Sequence, residues 1–440
     1  MARRPYRAMT GFENEFFLID NMGRIAHGAD ILLNEAQRRG QGAVKKEVAR
    51  NFIEIASDPN EKVPYSMENL ISDIEWLRES AKRYGMHLLP LGTYPGSFMP
   101  SMRDDGHYGV MRYVFGKKFP IWGRCCGFHS HFTLPRGIFD SQLRVIKILA
   151  HMKVKDALVN SHNLLVASDP VFATFMQSSP YYEGRQMGKD SRIIMFRGGR
   201  ALRNQKGIFS EYEELGCLPP YKPTVFDLMD IISSRYELWK RAVSKVGINI
   251  RVLPKYWSLM DTTWTAVKIN PNGTLEERGM DINHPQYIAA IGLMMKFVMR
   301  RIQDEVYTVV PSEIGITEPF RVEGDVIYIP PYSYVENTLQ YLSAYEGLEN
   351  GIVHEYCRRF LRFAKSAIPN DRQVFLRPLE RMLAERKTVS DEILDFAARK
   401  GYAKGERIPN SLAAQIALLH ARRLEREILD MKRLLERYRQ

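Results

Sequence analysis

Three separate segments of this chain repeat one pattern that few folds accommodate. Each carries ionisable side chains two residues apart: Glu13 and Glu15 in "TGFENEFFLID", His129 and His131 in "PIWGRCCGFHSHFTLP", and Glu276 and Arg278 in "GTLEERGMD". On a β-strand successive side chains point to opposite faces, so each pair projects from one face of its strand. A sheet face bearing acids, imidazoles and a guanidinium is costly to cover unless its charges are compensated, so it meets water or holds ions. Glu276 with Arg278 alone would read as a surface ion pair of little energetic value. E-x-E recurs by chance, and paired histidines also occur in cores with their hydrogen bonds satisfied. The threefold recurrence is what points to a site.

The segments between these pairs suggest alternating strands and helices. Residues 10–20 read as a strand closed by the turn "NMG", and "EVARNFIEIA" brings in Glu54 before "SDPNEKVPYS" breaks the pattern with Pro and Asn. Apolar spacing of three and four predicts a helix from about Met67 to Gly85, and "MHLLPLGTYPG" a buried strand running into a loop. A strand follows over 120–135, then a helix over 139–167, then "SDPVFATFMQSSPYYEGRQMGKDSR" as a long loop with few core positions. Helices at 225–246 and 285–306 flank one strand, "TTWTAVKINPNGTLEER", and a hairpin, "FRVEGDVIYIPP", precedes a helical carboxy-terminal third. In the last helix, from Ser411, the residues Ala417, Ala421, Leu424, Ile428, Met431, Leu435 and Tyr438 form a heptad seam. Such a seam suits packing on its own domain or self-association of two copies through residues 411–440.

Composition narrows the class. A chain of 440 residues with 45% hydrophobic content builds one large domain or two ordinary ones. No apolar run is long enough to span a bilayer, no signal-peptide pattern opens the chain, and four cysteines without C-x-x-C spacing fit a reducing compartment, so the expectation is a soluble cytoplasmic protein. Of the net charge of +12, residues 352–440 carry +8, from 20 Lys and Arg against 12 Asp and Glu. Those charges alternate in sign as on a solvated helix face, which argues against nucleic acid as a partner.

Carboxylates with imidazoles and no thiolates suit Mg²⁺ or Mn²⁺ better than zinc, and a guanidinium beside them suits a phosphate-bearing ligand. Neither a P-loop nor a dinucleotide-binding glycine motif is present. The ordered set "GFENEFFLID", "FIEIASDP", "CGFHSHFTLP", "SSPYYEGRQMGKDSR" and "GTLEERGMD" resembles the glutamate-cysteine ligase family, in particular its bacterial carboxylate-amine ligase branch, over roughly residues 9–300.

The resemblance implies an α+β fold, a curved antiparallel sheet funnel of the glutamine synthetase catalytic type with packed helices. The catalytic domain would span residues 1–350, with a basic helical region over 351–440. It also implies an enzyme that uses ATP and Mg²⁺ or Mn²⁺ to phosphorylate a carboxylate, that of glutamate or of a peptide or protein. An amine such as cysteine then displaces phosphate to form an amide. By position, Glu13, Glu15, Glu54, His129 and Glu276 match the family's metal set, and Arg278 matches the arginine near the transferred phosphoryl group. Asp281 completes that motif, and Ser179, Gly184, Ser191 and Arg192 match a loop beside the substrates. Gly92-Thr93-Tyr94-Pro95 departs from the family's "GTHP", and Glu277 stands at a usually apolar position. A "W-x-A-x-R" pattern is missing after residue 300. These departures bear on the acceptor and leave the metal set intact. Two rival readings remain: a binding or assembly protein working through its tail, and a metal-dependent hydrolase that needs no ATP.

Overall fold

The alternation in the first strand decides how the sheet is layered. A computed structural model describes residues 8–438, and in it Phe12, Asn14 and Phe16 of this strand are buried while Glu13 and Glu15 are only half-buried. The main sheet comprises β1 (Thr10–Asp20), β2 (Val44–Lys45), β3 (Phe52–Asn60), β4 (Met86–Leu89), β5 (Gly127–Thr133), β6 (Val267–Asn270) and β7 (Thr274–Asp281). All its pairings are antiparallel, in the order β6-β7-β5-β1-β3-β2, with β4 also paired to β1. Helices α1 (Val63–Arg83), α2 (Met152–Met176) and α3 (Pro285–Glu305) pack against these strands. At Gly292 of α3 a Cβ would meet the Phe12 ring at 2.4 Å, so only glycine lets this helix lie so close to the sheet. The result is the α+β arrangement expected from the sequence.

Several elements differ from the sequence reading, each for a local reason. Strand β3 continues through Pro59 to Asn60, because its register with β1 shifts between Thr10 and Phe12 and a shifted pairing tolerates a missing N–H. Helix α1 starts earlier, at Val63, with Pro64 in its first turn where no N–H is needed. A 3-10 turn occupies Gly116–Arg124, so β5 is shorter than the 120–135 strand expected. Residues 139–150 are not helical: Asp140 Oδ1 accepts from Gln142 N and Leu143 N at 3.0 and 3.1 Å, Arg144 turns to φ 53°, and a small hairpin forms. Helix α2 then runs past Pro170 to Met176, and Ser168 through Tyr182 are buried. That stretch is core, not a loop with few core positions. The "NPNG" turn splits the single strand expected over 262–278 into the hairpin β6–β7, with Gly273 at φ 77°.

The carboxy-terminal seam also has a definite place. Ala417, Ala421, Leu424, Ile428, Met431 and Leu435 of α4 (Asn410–Glu436) are all buried within this chain, against α1, β4 and α3. Tyr438 packs on Phe375, ring centroids 5.1 Å apart. The seam is therefore filled by the chain's own core, which corrects the expectation of self-association through residues 411–440. Ile428→Ala should lower the unfolding free energy by about 2–5 kcal/mol in urea denaturation and leave the sedimenting mass unchanged. A changed mass at unchanged stability would contradict this packing.

Candidate active site

The period-two pairs meet on one sheet face because the strand register aligns them. Glu54 stands opposite Glu15, Glu13 opposite His129, and His131 opposite Glu276, which in turn faces Lys268. Glu13 binds both imidazoles, with Oε2 at 3.1 Å from His129 Nδ1 and Oε1 at 3.4 Å from His131 Nε2. Glu276, only 1% exposed, lies 3.1 Å from Arg278 Nη1, 3.4 Å from Lys268 Nζ and 3.7 Å from His129 Nδ1, and accepts from Asn270 Nδ2 at 2.7 Å. The β7–β5 pairing shifts between Glu277 and Met280, a bulge that re-aims side chains at this point. Arg278 reaches the cavity beside Glu276, while Glu277, fully buried, is among the charges acting on Arg197.

These groups line a cavity of about 350 Å³. One side holds Glu13, Glu15, Glu47, Glu54 and His129; cations enter from Lys268, Arg278 and Arg192; Trp122, Trp257, Trp264 and Tyr108 line it as well. Among the described residues, three sets of side chains place ligand atoms within 4.8 Å of one another: Glu13–Glu54–His129, Glu13–His131–Glu276, and Glu15–Glu47–Glu54.

The electrostatics divide the face in two. Burial opposes charge on Glu276, yet Lys268, Arg278 and His131 hold its carboxyl far below the usual range. Burial likewise opposes charge on Glu13, and His131 and His129 outweigh it. At the other end, burial pushes Glu47 up to about 8 with Glu15 adding to it, and drives Glu54 well up beside Glu13, Glu47 and Glu15. Among the described residues neither carboxyl has a lysine or arginine within 4.0 Å. A half-buried carboxyl pair of this kind, open to the cavity, suits oxygen-bound divalent cations, so the residues present fit Mg²⁺ or Mn²⁺.

The remaining residues expected at the site lie behind it. Ser179 Oγ accepts from Arg192 N at 3.2 Å, and Ser191 N donates to Ser179 O at 2.7 Å. Asp281 Oδ2 accepts from Ser178 N at 2.9 Å, and burial raises its carboxyl to about 6. Gly184, at φ 80°, is fixed by Ile408 N donating to its carbonyl at 2.8 Å. None of these four lines the cavity, whereas Arg192, which they help to position, does. The sequence reading missed Glu47, Lys268 and Asn270. Lys268 and Asn270 repeat the period-two pattern and were findable, but Glu47 sits on irregular backbone before β3.

Comparison with known proteins supplies the family. The sequence profile of glutamate-cysteine ligase family 2 (GCS2) matches residues 9–313. The chain belongs to this family. A provisionally named glutamate-cysteine ligase 2 from Clavibacter michiganensis subsp. michiganensis is 27% identical over 196 residues, 42% of this chain and 45% of the relative. One from Chromobacterium violaceum is 22% identical over 257 residues, 57% of this chain and 56% of the relative. The chain thus spans about half the length of the curated relatives it matches. Among solved structures, glutamate-cysteine ligase from Francisella tularensis in complex with AMP aligns with a TM-score of 0.58 at 11% identity, over 99% of this chain and 93% of that one. A bifunctional glutathione synthetase from Pasteurella multocida aligns at 0.56 and 13% identity, over 95% of this chain and 53% of that one. At these identities the likeness establishes the fold, which is the ligase fold the sequence led us to expect.

In this GCS2 member the departures from the family pattern avoid the cavity. Tyr94 is buried with its hydroxyl donating to Gly23 O at 3.1 Å, and Gly92 leaves room for the Asp281 carboxylate, which a Cβ would meet at 2.2 Å. The Glu47–Glu54 pair makes a pH test direct. Cation binding requires both carboxyls ionised, so Mn²⁺ affinity should rise as pH climbs toward about 8, with proton release on binding. The sign for stability is the reverse. A Glu carboxyl in the unfolded chain titrates near about 4.3, so the cation-free fold binds extra protons and loses stability as pH rises from there through about 8. Thermal unfolding with and without Mg²⁺ should show that loss and its recovery; Mn²⁺ affinity independent of pH would contradict the assignment.

Proposed function

We propose that this chain is an ATP-dependent carboxylate–amine ligase, forming an amide through an acyl-phosphate, with the glutamate side-chain carboxylate as donor and cysteine or another amine as acceptor. The observation that carries this reading is the single cavity face on which Glu13, Glu15, Glu54, His129 and Glu276 stand beside Arg278, Lys268 and Arg192. Such a face pairs an oxygen-rich cation site with guanidinium and ammonium groups, the arrangement a triphosphate and a second anionic substrate require together.

Glu13, Glu15, Glu47, Glu54, His129 and Glu276 would hold Mg²⁺ or Mn²⁺, which when bound offsets triphosphate charge. The chain's own cations do the rest. Arg278, oriented by Glu276 at 3.1 Å, stabilises charge that develops as a carboxylate oxygen displaces ADP from the γ-phosphorus. Lys268 and Asn270 hold the other Glu276 oxygen and so fix the carboxylate that orients Arg278. Arg192, whose Nη2 donates to Arg278 O at 3.4 Å, is placed to bind substrate carboxylate or phosphate. Ser179, Ser191, Gly184 and Asp281 act one layer back, keeping the Arg192 segment in position. The tryptophans offer flat apolar surface to the adenine or to the acceptor. Four free cysteines, and no described helix long and apolar enough to cross a membrane, are in keeping with a cytoplasmic setting.

The test is ADP release with Mg²⁺, ATP and glutamate against a panel of amines. One amine should stimulate release. Arg278→Ala should lower that rate by about 10²–10³-fold with the circular dichroism spectrum unchanged, and Glu276→Gln should lower it comparably. Undiminished turnover in both variants would remove the site from the reaction.

A further inference from the structure

A second cavity, of about 890 Å³, lies outside the reaction site and has an unusual charge balance. Arg235, on the helix Val225–Lys245, lines it while only 4% exposed. Its Nε donates to Glu214 O at 2.8 Å, but among the described residues its two terminal nitrogens have no hydrogen-bond partner and no carboxylate within 4.0 Å. Those nitrogens are not enclosed by protein, so they face the cavity. Burial pushes this guanidinium down to about 10, with Glu214 only partly offsetting the effect. A cation this deeply buried without a paired carboxylate is costly, and the cost marks a place where an anion is missing.

The other lining groups exclude a simple anion. Three of the cavity's acids are engaged, Glu211 by Lys118, Glu213 by Arg200, and Asp227 in the cap of its own helix. Among the described residues Glu214, Asp230 and Glu336 have no counter-cation within 4.0 Å, and Lys222 has no acid within that distance, though Asp227 and Asp230 act on it from farther off. Inorganic phosphate would be drawn to Arg235 and Lys222 and repelled by three carboxylates; a bare amine or metal ion would meet the reverse problem. Tyr332 brings the two signs together: its hydroxyl lies 2.9 Å from Glu336 Oε1 and 2.8 Å from Leu218 O, and the ring is within electrostatic reach of Arg235. The positive and negative poles are therefore one side chain apart.

We propose that this cavity binds a zwitterionic α-amino acid, its carboxylate on Arg235 and Lys222 and its ammonium group on Glu336. The site is independent of the reading of the first cavity, though it borders it. The short helix Glu213–Gly216 contributes Glu213 and Glu214 here, and on its far side Leu215 O accepts from the backbone N of Trp264, which lines the reaction cavity, at 2.6 Å. An amino acid bound here is placed to act on the reaction cavity through that shared wall.

The experiment is isothermal titration calorimetry of the full chain with each coded L-amino acid at millimolar concentration, and with propionate, propylamine and inorganic phosphate as single-charge probes. At least one amino acid should bind, more tightly than any single-charge probe. Arg235→Met and Glu336→Gln should each weaken it by about tenfold or more, leaving basal ADP release unchanged. If Arg235→Met fails to fold, Lys222→Met with Glu336→Gln makes the same comparison. The proposal is overturned if no amino acid binds, if binding is indifferent to these substitutions, or if propionate or phosphate binds as tightly.

Discussion

Half-buried carboxylates crowded around β1 and β3, with the imidazoles of β5 beside them, impose the condition that the rest of the molecule meets. Glu13, Glu15, Glu47 and Glu54 crowd one end of a sheet face, and among the described residues no lysine or arginine lies within 4.0 Å of the Glu47 or Glu54 carboxyl. Such an arrangement is stable only if the carboxyls keep their protons or receive a cation from outside. At the other end the same face carries its own cations, Lys268 and Arg278, clasping Glu276. The gradient along one sheet face, from acids awaiting a cation to an acid already paired, is what a triphosphate would lie along.

Holding that gradient requires a rigid back. Behind the β7 bulge, Arg197 binds Asp169 through two hydrogen bonds of 2.8 and 2.5 Å and Gln340 at 2.7 Å, all buried, and Glu277 folds back to accept from Gly279 N at 2.9 Å. The bulge that aims Arg278 is thereby tied to α2. The segment carrying Arg192 is secured from the carboxy-terminal side, where Lys189 pairs with Asp391, Ser390 N donates to Gln177 O at 3.1 Å, and Ile408 N bonds Gly184 O. The basic tail thus contributes structure to the site wall as well as solvated charge.

How much of this could be read beforehand followed from how local each signal was. Glu13 with Glu15 and His129 with His131 are legible because period-two alternation is a property of the strand itself. That the pairs align, Glu13 to His129 and His131 to Glu276, depends on register between strands distant in sequence, and only the order of family motifs pointed to it. Glu47 was invisible, since nothing periodic marks a residue on irregular backbone. The 139–167 helix misled because an Asx turn at Asp140 overrides the apolar spacing that follows. The α4 seam shows the limit of heptad reasoning: the same spacing serves a coiled coil or an internal core, and tertiary packing on α1 and α3 decides. Arg235 carries no sequence signal at all, because its significance is the absence of a partner.

The account stands most directly on the carboxylate being phosphorylated. Glutamate labelled with oxygen-18 in its side-chain carboxylate, incubated with ATP, Mg²⁺ and the stimulating amine, should yield inorganic phosphate carrying one labelled oxygen, because the carboxylate oxygen that attacks phosphorus leaves with it. Unlabelled phosphate released in step with ADP would mean that water, not the carboxylate, takes the phosphoryl group, and the ligase reading would be wrong.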